Sequence, residues 1–273
     1  MRHPLRALIA LVTLCTLFLA ACGGTASNTA TSTSSPVTLN VFAAASLTES
    51  FNAIAAKYHA AHPNITIKLS FEGSQILESQ IASGAPADIF ASADMANMQK
   101  ASDAGLVGSS QIFVKNKLAV IIPASNPGNI TSLKDLARKG IKIDIEAPVV
   151  PAGKYSLQVL DKMAQSSDYG PAYESAVKAN FVSLETDVKS VVNKVQLGEV
   201  DAGFVYQTDV TAAVSDKVKM ITIPDDFNVI AQYPIAVTKS STHASDAQAF
   251  VQYILSPEGQ GVLQQYHFIV INP

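Results

Sequence analysis

The stretch Val41-Phe42-Ala43-Ala44-Ala45-Ser46-Leu47-Thr48-Glu49-Ser50 decides the fold, because a strand changes into a helix within it. The alternating, β-rich run at residues 37–42 predicts the strand. Ser46-Leu47-Thr48-Glu49 matches a capping box and predicts a helix from Leu47 to Ala61 with Ser46 at its start. Free N–H groups at such a start, behind three small alanines, suit an oxyanion. An ordinary capped turn would read the same, so other segments must decide the function.

Composition sets the class of protein. The chain has 273 residues, of which 48% are hydrophobic and 15% are charged, enough for one large domain or two medium ones. The formal net charge of -3 provides no basic surface for nucleic acid, so none is expected as a partner. An anionic ligand would therefore have to be held by local dipoles.

The first 36 residues predict export and anchoring. Residues 1–21 combine a basic start with an apolar run from Ala7 to Ala20, which is typical of a signal peptide and too short for a membrane span. Leu19-Ala20-Ala21-Cys22-Gly23 resembles a bacterial lipobox, so Cys22 is expected to carry the lipid. Residues 22–36 are mostly Ser, Thr, Ala, Asn and Gly, which indicates a flexible linker. We expect an extracytoplasmic protein that is lipid-anchored to the cell membrane.

From Val37 onward, strands and helices alternate, which predicts an α/β fold with helices on both faces of a mostly parallel sheet. Beyond the first, the predicted strands lie at residues 65–71, 88–91, 117–123, 143–145, 181–183, 203–206, 218–223 and 233–237. The continuous apolar run at the third of these begins a second α/β unit. Asp88 and Asp94 are interpreted as structural turn or cap residues.

Four further segments place small or polar residues at strand ends or helix starts, where ligands bind in open α/β sheets. They are Ser70–Gln75, Val150–Tyr155, Glu185–Lys189 and Gly203–Asp209. Taken singly, each has a structural explanation as a cap, a packing residue or a core aromatic.

Together with the run Phe42–Thr48, these four segments resemble the periplasmic molybdate-binding proteins that feed ABC transporters. Gly84–Phe90 and Ser92–Asp94 match that family as well, so the resemblance covers almost the whole mature chain. It implies a periplasmic-binding-protein fold of type II, with two α/β lobes of mixed sheets, a two-strand hinge and a ligand cleft between the lobes. Lobe I would comprise residues 37–115 plus 236–273, and lobe II residues 116–235.

The resemblance also implies the ligand and its contacts. Ser46 and Ser74 would donate hydroxyl and backbone N–H groups to molybdate or tungstate, Ala152 and Val188 would donate backbone N–H groups, and Tyr206 would donate its phenol. All of these donors are neutral, so affinity is expected to stay flat between about pH 6.5 and 8.5. Phosphate, which keeps a proton, should bind more weakly than molybdate. Glu72 stands two positions from Ser74 and is expected to point away, because strand neighbours alternate faces.

The implied partner is an ABC transporter permease, and the protein is expected to act as a monomer without a cofactor or a free metal cation. Sulfate remains an alternative ligand, because it shares the charge and shape of molybdate and only cavity size separates them. An enzyme is not expected, since the sequence has no G-x-S-x-G elbow or phosphate loop and its histidines lie away from the five segments. A ferric site would need clustered tyrosines and carboxylates. An octahedral oxometalate site would need carboxylates where Val150 stands.

Overall fold

A computed structural model describes residues 35–271. The predicted signal peptide, Cys22 and nearly all of the predicted linker lie outside this range. Ten strands in the described part are β1 Val37–Ala44, β2 Ile65–Glu72, β3 Ile89–Ala91, β4 Gln111–Pro123, β5 Ile143–Glu146, β6 Phe181–Glu185, β7 Ala202–Tyr206, β8 Val218–Thr222, β9 Ile230–Val237 and β10 Ile269–Val270.

Eight α-helices accompany these strands. They are α1 Thr48–Ala61, α2 Ser74–Ala82, α3 Met95–Asp103, α4 Pro151–Ala164, α5 Pro171–Ala179, α6 Val188–Leu197, α7 Ala244–Leu255 and α8 Pro257–Gln265. Short 3-10 turns occupy Ala45–Leu47, Leu133–Ala137 and Gln207–Asp209. No helix within residues 35–271 is long and apolar enough to cross a membrane.

The sheet is mixed and runs in the order β2-β1-β3-β9-β4-β7-β5-β6, with β10 and β8 paired to β4. In its first half β1 lies parallel to β2 and β3, whereas β9 returns antiparallel to β3. In its second half β5 lies parallel to β6 and β7, whereas β4 is antiparallel to β7 and β8. The α/β class and the mixed strand directions implied by the resemblance are confirmed. The mostly parallel sheet expected from the alternating pattern is found only among β1, β2 and β3 and among β5, β6 and β7, because β4 and β9 pair antiparallel with their neighbours.

The long strand β4 connects the two halves. Its residues 111–117 pair with β9, and residues 118–123 pair with β7 and β8. The sequence predicted only the second part, because the polar run Lys115-Asn116-Lys117 interrupts the apolar pattern. The proposed lobe boundaries fall within β4 and at the end of β9, and the lobes themselves stay a prediction.

The helix that follows β1 begins differently from the prediction. Ser46 lies in the 3-10 turn, α1 starts at Thr48, and no side chain caps α1. The capping-box prediction is therefore wrong. Both of its members are drawn to distant partners, since the Ser46 hydroxyl contacts Tyr233 and Glu49 pairs with Lys189. Tertiary contacts have outweighed a local motif here.

Candidate functional site

A small cavity lies where β1, β2 and β7 end at their carboxyl termini. Four of the five predicted ligand residues line it, namely Ser46, Ser74, Val188 and Tyr206. Ser46 follows β1, Ser74 opens α2 after β2, Val188 opens α6, and Tyr206 ends β7. Segments up to 160 residues apart in sequence thus meet at one point, the position at which α/β sheets bind ligands.

Two serine hydroxyls face this cavity, and each already has a neighbour that can supply it with a hydrogen. The backbone N–H of Ala93 donates to Ser74 Oγ at 2.9 Å. Ser46 Oγ lies 2.9 Å from the hydroxyl oxygen of Tyr233. Because an N–H group can only donate, the Ser74 hydroxyl keeps its own hydrogen for another acceptor.

The hydroxyl of Tyr206 is buried and forms no hydrogen bond of normal geometry with any other residue in the described part of the chain. The side chain is only 1% exposed, so bulk solvent does not reach the hydroxyl. Burial raises the pKa of this phenol well above its usual value, and the neighbouring Tyr233 adds to the effect. Tyr206 therefore stays protonated and offers one donor to whatever enters the cavity.

Val188 contributes through its backbone. As the first residue of α6 it has an N–H without an intrahelical partner. Asp187 is the N-cap, and its carboxylate accepts the N–H of Ser190 at 3.1 Å. This leaves the positive end of the helix dipole, together with the Val188 backbone, at the cavity wall.

The opposite walls touch next to the cavity. The side-chain amide of Gln75 donates to the carbonyl oxygen of Thr186 at 3.0 Å. A Cβ atom at Gly73 would stand 2.2 Å from the same oxygen, so only glycine permits this approach. Lys189 adds an ion pair to Glu49 of α1 at 2.8 Å and approaches the buried Asp209 at 3.2 Å. Although burial lowers the pKa of Lys189, these two carboxylates outweigh that effect and raise it.

Ala152 is placed differently from the other four predicted residues. Its N–H donates to Glu146 Oε2 at 2.6 Å, and the N–H of Gly153 donates to the same oxygen at 3.1 Å. Ala152 does not line the cavity, whereas Glu146 does. A carboxyl oxygen of the protein itself thus occupies the start of α4, in the position predicted for a ligand oxygen.

Glu146 is the last residue of β5 and is only 4% exposed. Burial raises its pKa to about 8, although the two N–H groups oppose the shift. Sequence reasoning missed this residue. The available signal was an acidic residue at the carboxyl end of a buried strand, six positions before Ala152.

Glu72 also lines the cavity, and the direction of its side chain stays a prediction. Two acidic residues therefore border a site that was expected to hold neutral donors only. An octahedral oxometalate site was set aside because Val150 is not a carboxylate, yet Glu146 places a carboxyl group at the cavity. Among residues 35–271 there is no group of three or more His, Cys, Asp or Glu side chains that could hold a metal ion.

The cavity volume is about 10 Å³, roughly the space of one water molecule. An anion with four oxygens needs more room. A ligand of that size can enter only if the walls separate or if Glu146 moves from the start of α4.

Comparison with known proteins gives three kinds of match. A family model described as bacterial extracellular solute-binding protein matches residues 39–269. The molybdate-binding protein ModA of Mycobacterium tuberculosis is 35% identical over 253 residues, which is 92% of each chain. Two solved structures share the fold. The periplasmic molybdate-binding protein of Azotobacter vinelandii has a TM-score of 0.73 at 21% identity, covering 85% of this chain and 99% of its own. The sulfate-binding protein SubI of M. tuberculosis has a TM-score of 0.75 at 20% identity, covering 87% and 88%.

Proposed function

The chain belongs to the family of bacterial extracellular solute-binding proteins, and on that premise we propose that it captures molybdate, and with it tungstate, for an ABC transporter. The contacts would come from the hydroxyls of Ser46, Ser74 and Tyr206 and from the backbone N–H of Val188. The N–H of Ala152 would join them if Glu146 moves aside. Proteins of this family bind solutes and are not enzymes, and we infer no catalytic step.

One observation carries the proposal: the Tyr206 hydroxyl is buried without a partner among residues 35–271, at a cavity that Ser46 and Ser74 also line. A buried donor without an acceptor costs about 1–3 kcal/mol. A tetrahedral oxyanion presents only acceptors, and it would satisfy all three hydroxyls at once. Hydrogen bonds to a charged group contribute roughly 1.5–3 kcal/mol each, which supports capture without a lysine in the first contacts.

We propose molybdate rather than sulfate as the ligand because a relative that is 35% identical over 92% of this chain is a molybdate-binding protein, whereas a sulfate-binding relative is only 23% identical. The fold alone does not separate the two ligands, since both kinds of binding protein share it. Sulfate has the same charge and shape, so the size of the opened cavity must discriminate.

Calorimetric titration with molybdate, tungstate, sulfate and phosphate tests this proposal. We expect molybdate and tungstate to bind tightly and Tyr206→Phe to weaken both by roughly 1.5–3 kcal/mol. Tyr173→Phe is the matched control, because its buried hydroxyl donates to Leu133 O at 2.6 Å and does not line the cavity. Sulfate binding as tight as molybdate binding would contradict the ligand assignment, and unchanged affinity in Tyr206→Phe would remove Tyr206 from the site.

We also propose that the two lobes close on the ligand, since Ser46 and Ser74 belong to lobe I and Val188 and Tyr206 to lobe II. Saturating molybdate should reduce the radius of gyration in small-angle X-ray scattering. It should also raise the free energy of unfolding by about 2.7 kcal/mol at a hundredfold excess over Kd. An unchanged radius would contradict the lobe boundaries.

Delivery to a permease and anchoring by a lipid on Cys22 complete the proposal. Cys22→Ala should release an extracytoplasmic monomer from the membrane fraction without changing its molybdate affinity, because the linker is long and featureless. A variant that stayed in the membrane pellet would contradict the lipobox interpretation.

A further inference from the structure

We propose that Tyr233 is a positioning residue for the anion site: together with Asn116 it forces the Ser46 hydroxyl to point its hydrogen into the cavity. The inference rests on the proposed function and deepens it, because it assigns a role to residues outside the predicted contact set. Neither Tyr233 nor Asn116 lines the cavity.

The donor and acceptor roles in this hydrogen-bond chain are set at Asn116, whose side chain is buried with 1% exposure. The backbone N–H of Lys117 donates to Asn116 Oδ1 at 2.9 Å. Since a backbone N–H cannot accept, this contact decides which end of the amide is the oxygen. The amide nitrogen of Asn116 then faces Thr208 Oγ1 at 2.8 Å and the Tyr233 hydroxyl oxygen at 3.3 Å, and it donates to both.

The orientation of the Asn116 amide in turn affects the hydroxyl of Tyr233. Its hydroxyl has one hydrogen, and its oxygen already accepts from Asn116. Tyr206 also lies beside this hydroxyl but forms no hydrogen bond of normal geometry with it, whereas Ser46 Oγ lies at 2.9 Å, so we assign the Tyr233 hydrogen to Ser46. The side chain of Tyr233 is fully buried, and burial raises the pKa of its hydroxyl well above the usual value. Tyr233 therefore remains a neutral donor.

Ser46 is then a hydrogen-bond acceptor on the Tyr233 side and a donor on the cavity side. Ser74 has the same arrangement with a backbone donor, because Ala93 N–H fills the acceptor position of its hydroxyl. Both serines are thus oriented in advance as donors. A hydroxyl that already points its hydrogen at the ligand does not have to reorient when the ligand binds.

Packing holds the Tyr233 hydroxyl in place. Its ring makes edge-to-face contacts with Phe113, Tyr206 and Phe268 at centroid distances of 6.4, 5.8 and 5.8 Å. Tyr233→Phe keeps this ring and removes only the hydroxyl, so it isolates the hydrogen bond. Without that bond, the Ser46 hydroxyl is free to turn its hydrogen away from the cavity.

A double-mutant cycle in molybdate titration tests the inference. We expect Ser46→Ala to raise Kd by roughly tenfold to a hundredfold, the loss of one bond to a charged group. Tyr233→Phe should raise it by about fivefold or more, the net contribution of one neutral hydrogen bond. The two changes together should raise Kd no more than about twofold beyond Ser46→Ala alone, because Tyr233 acts only through Ser46. Tyr173→Phe, which removes a remote buried hydroxyl, should leave Kd unchanged.

A purely structural role for Tyr233 predicts another pattern. In that case Tyr233→Phe would lower the melting temperature and leave Kd as in the wild type. Alternatively, Tyr233→Phe would raise Kd by the same factor whether or not the Ser46 hydroxyl is present. Either result overturns the inference while leaving the proposed function intact. Wild-type protein that binds no molybdate would overturn the proposed function, and the inference with it.

Discussion

Molybdate binding is expected to weaken above pH 8 because Glu146 lines the same cavity as the donors. This carboxyl group is 4% exposed, and burial raises its pKa to about 8. Below that pH the group is protonated and neutral. Above it, the group carries a negative charge next to a dianion. The sequence alone predicted flat affinity up to about pH 8.5, because Glu146 was not recognised as part of the site.

The magnitude follows from this pKa. If the anion binds only the protonated form, each pH unit above 8 lowers the affinity about tenfold, or about 1.4 kcal/mol. At pH 9 the protonated fraction is about one in eleven, so affinity should be about elevenfold below its plateau. Between about pH 6 and 7 the affinity should not change, since Glu146 is already protonated there.

The assay is calorimetric titration with molybdate from pH 6.5 to 9.5, in pairs of buffers with different ionisation enthalpies. Above pH 8, wild-type protein should take up close to one proton per molybdate. Glu146→Gln keeps the size and removes the charge, so it should show flat affinity and no proton uptake. Asp144→Asn is the matched control. Burial raises the pKa of Asp144 to about 7, but this residue does not line the cavity, so the change should leave the profile of binding against pH unaltered.

Two results would refute the reasoning. Wild-type affinity that stays flat to pH 9.5 would mean that Glu146 leaves the site or that its charge is screened when molybdate binds. A decline that persists in Glu146→Gln would assign the titration to another group.

Three further predictions concern the cavity walls and the buried acids. Glu72→Gln should strengthen molybdate binding by about 1 kcal/mol at low salt throughout this pH range, because it removes an acidic group from the wall; weaker binding in titrations would instead give Glu72 a supporting role. Gly73→Ala should weaken binding at least tenfold, since its Cβ would stand 2.2 Å from Thr186 O, whereas a Cβ at Gly261 meets nothing within 4 Å and Gly261→Ala should bind normally. The folded-state pKa of Asp144, about 7, lies above the ordinary value of 3.8, so the folded chain holds a proton that the unfolded chain has released between these values. Stability in urea should therefore fall as pH rises from about 4 to 7, and Asp144→Asn should flatten that fall; an equal slope in both proteins would show that Asp144 does not titrate in this range.

Local signals predicted most of the fold. Gly73 and Asp187 precede α2 and α6, which begin at Ser74 and Val188 within two of the segments that the sequence singled out as helix starts. Both signals are local in sequence, since a glycine often marks the boundary of an element and an aspartate side chain caps a helix. The gathering of strand ends at one cavity likewise follows from the α/β pattern.

Features that depend on contacts between distant segments were missed. Ser46 and Tyr233 are 187 positions apart, and no periodicity links them. A capping box at Ser46 was a reasonable prediction, but the Ser46 hydroxyl contacts the buried phenol of Tyr233 and does not cap α1. Glu146 is close to Ala152 in sequence, but its carboxylate reaches the start of α4 only because β5 and α4 fold back on each other.

The direction of the hydrogens explains how a site of neutral donors can also be selective. Ser74 accepts from a backbone N–H and, in our proposal, Ser46 accepts from Tyr233, so both hydroxyls turn their own hydrogens toward the ligand and do not readily accept a hydrogen bond from it. Tyr206, buried and protonated, adds a third fixed donor. A ligand that keeps a proton, such as hydrogen phosphate, would place that proton against a donor and lose about 1–3 kcal/mol. Glu146 differs from these fixed donors, because its carboxyl group can ionise. Once ionised it becomes an acceptor in the cavity wall, so discrimination against phosphate should narrow above pH 8 in the wild type and remain constant in Glu146→Gln. A molybdate-to-phosphate affinity ratio that did not change with pH in the wild type would show that the fixed donors alone set the selectivity.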